Sequence, residues 1–292
     1  MKKITAIAVA LLSIIPIQAH AATNQNIAII DTGFDPSVSQ FAGKIVDEVC
    51  FTSSCPNGKS FQEGAGAARL SSIQLTARDA VHGTQMLSAS ILTNPSTNYV
   101  FIRAYGILGT TLMSPTDNDF SNILSWIYSN KDRLNIGAVV FSAARNITTA
   151  CPTNNMILTQ VNNFKTAGIP VISATGNNYD YVHVAFPACL APVIAVGSID
   201  KYGHALYSNA GSDLDFDAMG TMVVSNGGNS TIQAVGTSLA AQVFAASWMA
   251  IKQAKPSLTY DQEYDLIKAT QTLSSNTGVK NVPTINLNGA LK

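Results

Sequence analysis

Ile27-Ala-Ile-Ile30, running straight into Asp31-Thr-Gly33, decides how this 292-residue chain folds. Four apolar residues are too few for a helix, and the acid and glycine that follow are turn signals. The run therefore reads as a short buried strand. Working outward, the pattern returns at Tyr99-Val-Phe-Ile-Arg103, Gly137-Ala-Val-Val-Phe141, Val171-Ile-Ser-Ala174 and Val193-Ile-Ala-Val196. Helical spacing separates these runs. It places Phe120, Ile123, Leu124, Ile127 and Tyr128 on one face, marks Met86 to Leu92, and spans Asn155 to Ala167 before Gly168. Two further helices are expected, Ser238 to Lys252 and Tyr260 to Thr270. Continuous Val/Ile/Ala strands alternating with helices predict a mostly parallel sheet with helices on both faces, a single α/β domain. Residues 52–70, rich in Gly, Ser and Ala, read as a surface insertion.

Hydrophobic residues make up 47% and charged residues 12%, a balance that suits a large buried core rather than disorder. The formal net charge is zero and no Lys/Arg cluster occurs, so no nucleic-acid partner is expected. Lys2 and Lys3, the apolar run Ile4 to Ile17 and Ala19-His20-Ala21 form a signal-peptide pattern. Residues 1–21 are expected to be removed, leaving a single domain over 22–292 with no membrane partner, secreted or periplasmic, and monomeric. Four cysteines, Cys50, Cys55, Cys151 and Cys189, suit an oxidising compartment. Of their three pairings, a local Cys50–Cys55 loop with a long Cys151–Cys189 loop is the one expected. A zinc site is disfavoured, because Cys-x-x-Cys pairs and nearby His partners are missing.

Four segments carry groups with chemistry, and each alone has a bland explanation. Asp31 sits just past a buried strand, where doubly wound sheets bind ligands, or it merely starts a turn. His82, in Asp79-Ala-Val-His82-Gly-Thr84, is one of three histidines left after signal removal, with His183 and His204. It offers a base near neutral pH, or is a structural hydrogen-bonded residue. Ser238, in Gly236-Thr-Ser238-Leu-Ala-Ala241, opens a buried helix whose first amides are free. A nucleophile there has an anion site beside it, and an ordinary N-cap is the alternative. Asn177, in Ser173-Ala-Thr-Gly-Asn177, can donate to an oxyanion or serve as turn chemistry.

In this order, Asp31-Thr-Gly33, His82-Gly-Thr84, Ala174-Thr-Gly-Asn177 and Gly236-Thr-Ser238-Leu-Ala240 resemble the signature blocks of the subtilisin-like serine protease family. The likeness covers roughly residues 26 to 290. Phe186-Pro-Ala188 and Val193-Ile-Ala-Val-Gly197 resemble its segment beside the S1 pocket. The resemblance implies a triad of Asp31, His82 and Ser238, an oxyanion hole at Asn177, and substrate contacts from Ser142, Ala143, Ala144, Ala174, Thr175 and Gly176. It implies a serine endopeptidase acting on protein or peptide through an acyl-enzyme.

Several positions depart from the family pattern. No propeptide is seen between the signal and Asp31. Ser142-Ala-Ala-Arg145 stands where Ser-Leu-Gly-Gly is usual, Gln242 and Val243 where Pro and often His occur, and Met219 where Pro is common. None removes a catalytic group. No cofactor is required. Calcium is a candidate because many relatives bind it, with Asp213, Asp215 and Asp217 as oxygen donors on one strand face; a solvated acidic edge is the alternative, and no metal site is assigned. A catalytically weak or silent protein that binds extended peptides is the competing function. An esterase of the Gly-x-Ser-x-Gly type is disfavoured, since Ala240 fills the last Gly position and the serine comes last.

Overall fold

The computed structural model describes residues 25–292 apart from 143, 146, 148, 153, 154 and 277. The expected signal, residues 1–21, and Ala143 lie outside the described residues. In chain order the strands are β1 (Asn26–Asp31), β2 (Ile45–Cys50), β3 (Gln62–Glu63), β4 (Asn98–Arg103), β5 (Gly106–Leu108), β6 (Thr111–Met113), β7 (Ile136–Phe141), β8 (Val171–Ala174), β9 (Ile194–Asp200), β10 (Gly203–His204), β11 (Phe216–Met219), β12 (Thr221–Ser225), β13 (Thr231–Val235), β14 (Thr272–Ser274) and β15 (Val282–Thr284). The helices are α1 (His82–Thr93), α2 (Asp117–Asn130), α3 (Asn155–Thr166), α4 (Thr237–Ala254), α5 (Tyr260–Thr270) and α6 (Leu287–Leu291).

One sheet organises the molecule, in the order β14-β15-β11-β9-β8-β7-β1-β4-β2-β3, with β10 attached to β9. From β2 to β11 every neighbouring pair is parallel. β1 is buried along its whole length because both faces are covered. Its alternation divides the core. Ile27 and Ile29 join α1 and α4 on one face, while Ala28 and Ile30 join α2 and α3 on the other. The strands' carboxyl ends therefore share one rim, and Asp31 terminates β1 on it.

The fold agrees with the sequence reading in its parallel core and differs at its margins. Within the expected surface insertion, Ala67 and Ala68 are fully buried. The Glu48 carboxylate holds this part down, accepting from Gly66 N at 2.9 Å and from the Arg69 guanidinium at 2.7 and 2.9 Å. Asp213 and Asp215 precede β11, so the three aspartates do not share a strand face. Asp215 accepts from Ala195 N and Tyr264 Oη, and Asp217 from His204 and Ser274. Among the described residues no group of three or more His, Cys, Asp or Glu could hold a metal ion. Both expected disulfides, Cys50–Cys55 and Cys151–Cys189, are formed. No described helix is long and apolar enough to cross a membrane.

α5 hides a titratable group with a predictable cost. Glu263 is 1% exposed, and its Oε1 has no hydrogen-bond partner. Burial pushes its carboxyl up to about 8, against the opposing pull of Lys252. A carboxyl raised in the folded state favours the fold most below its unfolded value. That stability is lost as pH rises and stops falling above the folded pKa. Glu263→Gln is therefore expected to leave stability unchanged near pH 4 and to raise it above pH 8 by roughly 3–5 kcal/mol. Urea unfolding at both ends of the range checks this; equal midpoint shifts at both would contradict it.

Candidate active site

Asp31 and His82 come together because their flanking residues fit one another. Gly83, at the start of α1, lies so close to the turn after β1 that a Cβ there would sit 2.2 Å from the Gly33 carbonyl oxygen. Gly33 itself has φ +113°, which a side chain would strain. Thr32 stitches the two segments: its hydroxyl accepts from Gly83 N at 2.9 Å and donates to Ala80 O at 2.8 Å. Thr84 completes the seam, accepting from Asp35 N at 2.9 Å. Each small or hydroxylated neighbour in the two motifs thus has a packing or hydrogen-bonding task.

The result is a hydrogen bond of 2.7 Å between His82 Nδ1 and Asp31 Oδ1. Thr32 N donates to the same oxygen at 2.7 Å. All three described histidines have an aspartate partner, and exposure separates them. His204 and Asp217 are both 0% exposed and unreachable by a substrate. His183 and Asp180 are a local pair, 31% and 25% exposed. Only His82–Asp31 combines a fully buried carboxylate with a ring that is 26% exposed. That geometry fixes the imidazole through Nδ1 and leaves part of the ring open to solvent.

Burial pulls the His82 imidazole down, but the Asp31 charge and hydrogen bond, with Asp79, outweigh it and hold its pKa above the usual value. Asp79 is an exposed residue with φ +62° whose carbonyl accepts from His82 N at 3.1 Å. It was not among the residues singled out from sequence, since an acid three positions from a histidine carries no distinctive pattern. A base must be neutral to act, so a raised pKa moves the acid limb of kcat/KM upward. Asp79→Asn is expected to shift that limb to lower pH without changing the alkaline plateau. An unmoved limb would show that Asp79 does not reach the ring.

Asn177 and Ser238 meet at the amino end of α4 by a second seam. Thr237 Oγ1 accepts from Gly176 N at 3.1 Å and donates to Asn177 Oδ1 at 3.0 Å, while Thr237 N donates to Asn177 Oδ1 at 2.9 Å. The carboxamide oxygen thus accepts two hydrogen bonds, and the side chain is exposed. Gly236, with φ +155°, lets the chain turn into α4 beside it; a Cβ there would lie 3.4 Å from Asn177 Nδ2. Ser238 is the second residue of α4 rather than its cap, which is Gly236, and it is half-buried. Its backbone N–H lies among the free first-turn amides at the positive end of the helix. Among the described residues no hydrogen bond joins Ser238 Oγ to His82.

The expected substrate-binding residues flank this centre. Ser142, fully buried at the end of β7, accepts from Gln242 Nε2 at 2.6 Å. Gln242 lies one helical turn after Ser238. Ala144 is half-buried beside the main core. Arg145, next in line, bridges to Phe186 with two backbone bonds of 2.8 Å, stacks its guanidinium 4.8 Å from that ring, and pairs with Asp117 at 2.8 Å. Ala174 closes β8, Thr175 N donates to Val196 O at 3.1 Å, and Gly176 O accepts from Asn209 N at 2.9 Å.

A parallel α/β sheet with these groups on its carboxyl rim defines the class, a serine protease. The chain belongs to the Subtilase family, whose model matches residues 22–285. Solved structures of similar fold include a protease from Pseudoalteromonas arctica, with a TM-score of 0.71 at 19% identity over 93% of this chain and 90% of that one. A lanthipeptide protease gives a TM-score of 0.71 at 14% identity, covering 91% and 86%. A cold-adapted subtilisin-like serine proteinase gives 0.67 at 18%, covering 89% and 87%.

Proposed function

We propose that this subtilase is an exported endopeptidase that cleaves peptide bonds through Asp31, His82 and Ser238. Ser238 Oγ attacks the scissile carbonyl and forms an acyl-enzyme. His82 takes the hydroxyl proton and passes it to the leaving amine. Asp31 holds the ring in the tautomer with Nδ1–H and stabilises the imidazolium. The negative oxygen of the tetrahedral intermediate is received by the Asn177 NH2 and the Ser238 N–H. Water then hydrolyses the ester by the same route in reverse. Export is supported by the signal pattern and by two disulfides, which persist in oxidising compartments.

The observation that carries this reading is the 2.7 Å bond from His82 Nδ1 to a carboxylate with no solvent exposure. A fluorophosphonate probe tests it. One equivalent of label is expected on the purified protein and none on Ser238→Ala. The missing Ser238–His82 hydrogen bond is the one observation favouring a silent peptide binder. Catalytic bonds often tighten only in the substrate complex, so it does not displace the protease reading. A folded sample that takes up no label would favour the binder.

A further inference from the structure

We propose that Gln242 is a positioning residue that sets the distance between Ser238 and the His82–Asp31 pair. This rests on the protease reading above. Gln242 stands where the family usually has Pro, and none of the steps assigned so far uses it. α4 carries Ser238 at its second position and Gln242 at its sixth. Residues four apart on a helix lie one turn apart on the same side. Whatever holds Gln242 therefore also holds the turn that bears Ser238. That anchor is Ser142: Gln242 Nε2 donates to Ser142 Oγ at 2.6 Å, and both residues are fully buried.

Ser142 is a fixed point level with Asp31. Phe141 of β7 pairs with Ile30 of β1, so the next residue on each, Ser142 and Asp31, come side by side at the rim. Ile29 and Val140 both pack in the α1–α4 layer, and two positions further on Asp31 and Ser142 point the same way. The bond thus runs from the turn bearing Ser238 to the strand beside the one that ends in Asp31. Thr237 supplies a second tether, to Gly176 and Asn177 after β8. Energetics assign the Gln242 bond to placement rather than to the fold. Its sequence neighbours Leu239, Ala240, Ala241, Val243 and Phe244 are all buried and apolar. Its Oε1 is buried with no hydrogen-bond partner among the described residues. A buried acceptor left unpaired is destabilising, and an apolar side chain of equal length would avoid it. Unpaired buried groups of this kind call for a reason other than stability.

Gln242→Met keeps the length and volume of the side chain and removes its hydrogen bond, so it separates placement from folding. It is expected to lower kcat for peptide cleavage about 10- to 100-fold, the effect of a small misplacement of a reacting group. KM stays within about twofold, because binding of the ground state is untouched. The rate of fluorophosphonate labelling falls by the same factor as kcat, since labelling needs Ser238 aligned with His82 but needs no peptide. Tm stays level or rises. Gln242→Leu is expected to behave alike and serves if the Met variant does not fold. Ser142→Ala slows labelling by a similar factor, and Ser142→Ala/Gln242→Met by no more than either single change, because both remove one bond. Unchanged kcat and labelling in a folded variant overturn the proposal. Losses that multiply in the double variant, or a loss of activity matched by a fall in Tm, overturn it too. If Gln242→Met and Gln242→Leu both fail to fold, Gln242 belongs to the fold and the proposal falls likewise. An unlabelled parent protein removes the protease reading and this inference with it; a labelled parent with unaffected variants removes this inference alone.

Discussion

Ser238→Ala is expected to lower kcat for peptide cleavage by about 10⁶-fold, because groups that act as one unit fail together when a principal member is lost. That corresponds to roughly 8 kcal/mol of barrier. His82→Ala should cost about as much, and the double variant little more. Neither change threatens the fold, since both side chains reach solvent at the rim. Casein or peptide hydrolysis with unchanged circular dichroism is the measurement. Cleavage retained in a folded Ser238→Ala or His82→Ala sample would remove that residue from the mechanism.

Asn177→Ala is expected to reduce kcat by about 10²–10³-fold, some 3–4 kcal/mol, with KM nearly unchanged. In its proposed role the donor is used when the carbonyl oxygen acquires negative charge, so ground-state binding scarcely registers its loss. The side chain is exposed and carries no core packing. Its orientation comes from Thr237, whose amide and hydroxyl both hold Oδ1. Thr237→Val should accordingly give a smaller loss of the same kind, in kcat rather than KM. A change confined to KM in either variant would place Asn177 in substrate binding instead of charge stabilisation.

The central strands were legible because two covered faces demand uninterrupted apolar residues, as in β1, β7 and β8. β2 was not, since Asp47 and Glu48 interrupt Ile45-Val-Asp-Glu-Val-Cys50; Glu48 is buried only because it anchors Gly66 and Arg69. The β12–β13 hairpin escaped notice for a related reason. Its outer face is open, and the Asn, Gly and Ser between its strands read as loop. In the site, Asp31, His82, Asn177 and Ser238 stood out by chemistry. Thr32, Gly83 and Thr237 could be seen only as motif letters, because their tasks are contacts between segments roughly fifty or sixty residues apart. Aspartate partners for His183 and His204 were equally invisible, and only burial tells those pairs from the one at the rim.

β1 comes early in the chain yet lies mid-sheet between β4 and β7, and the proposed nucleophile, Ser238, is carried on α4, some two hundred residues later. Contacts so distant in sequence form slowly. A nascent polypeptide consequently lacks the assembled site, and a single nick between the two segments takes it apart if the pieces separate. The proposed centre exists only once the molecule is whole.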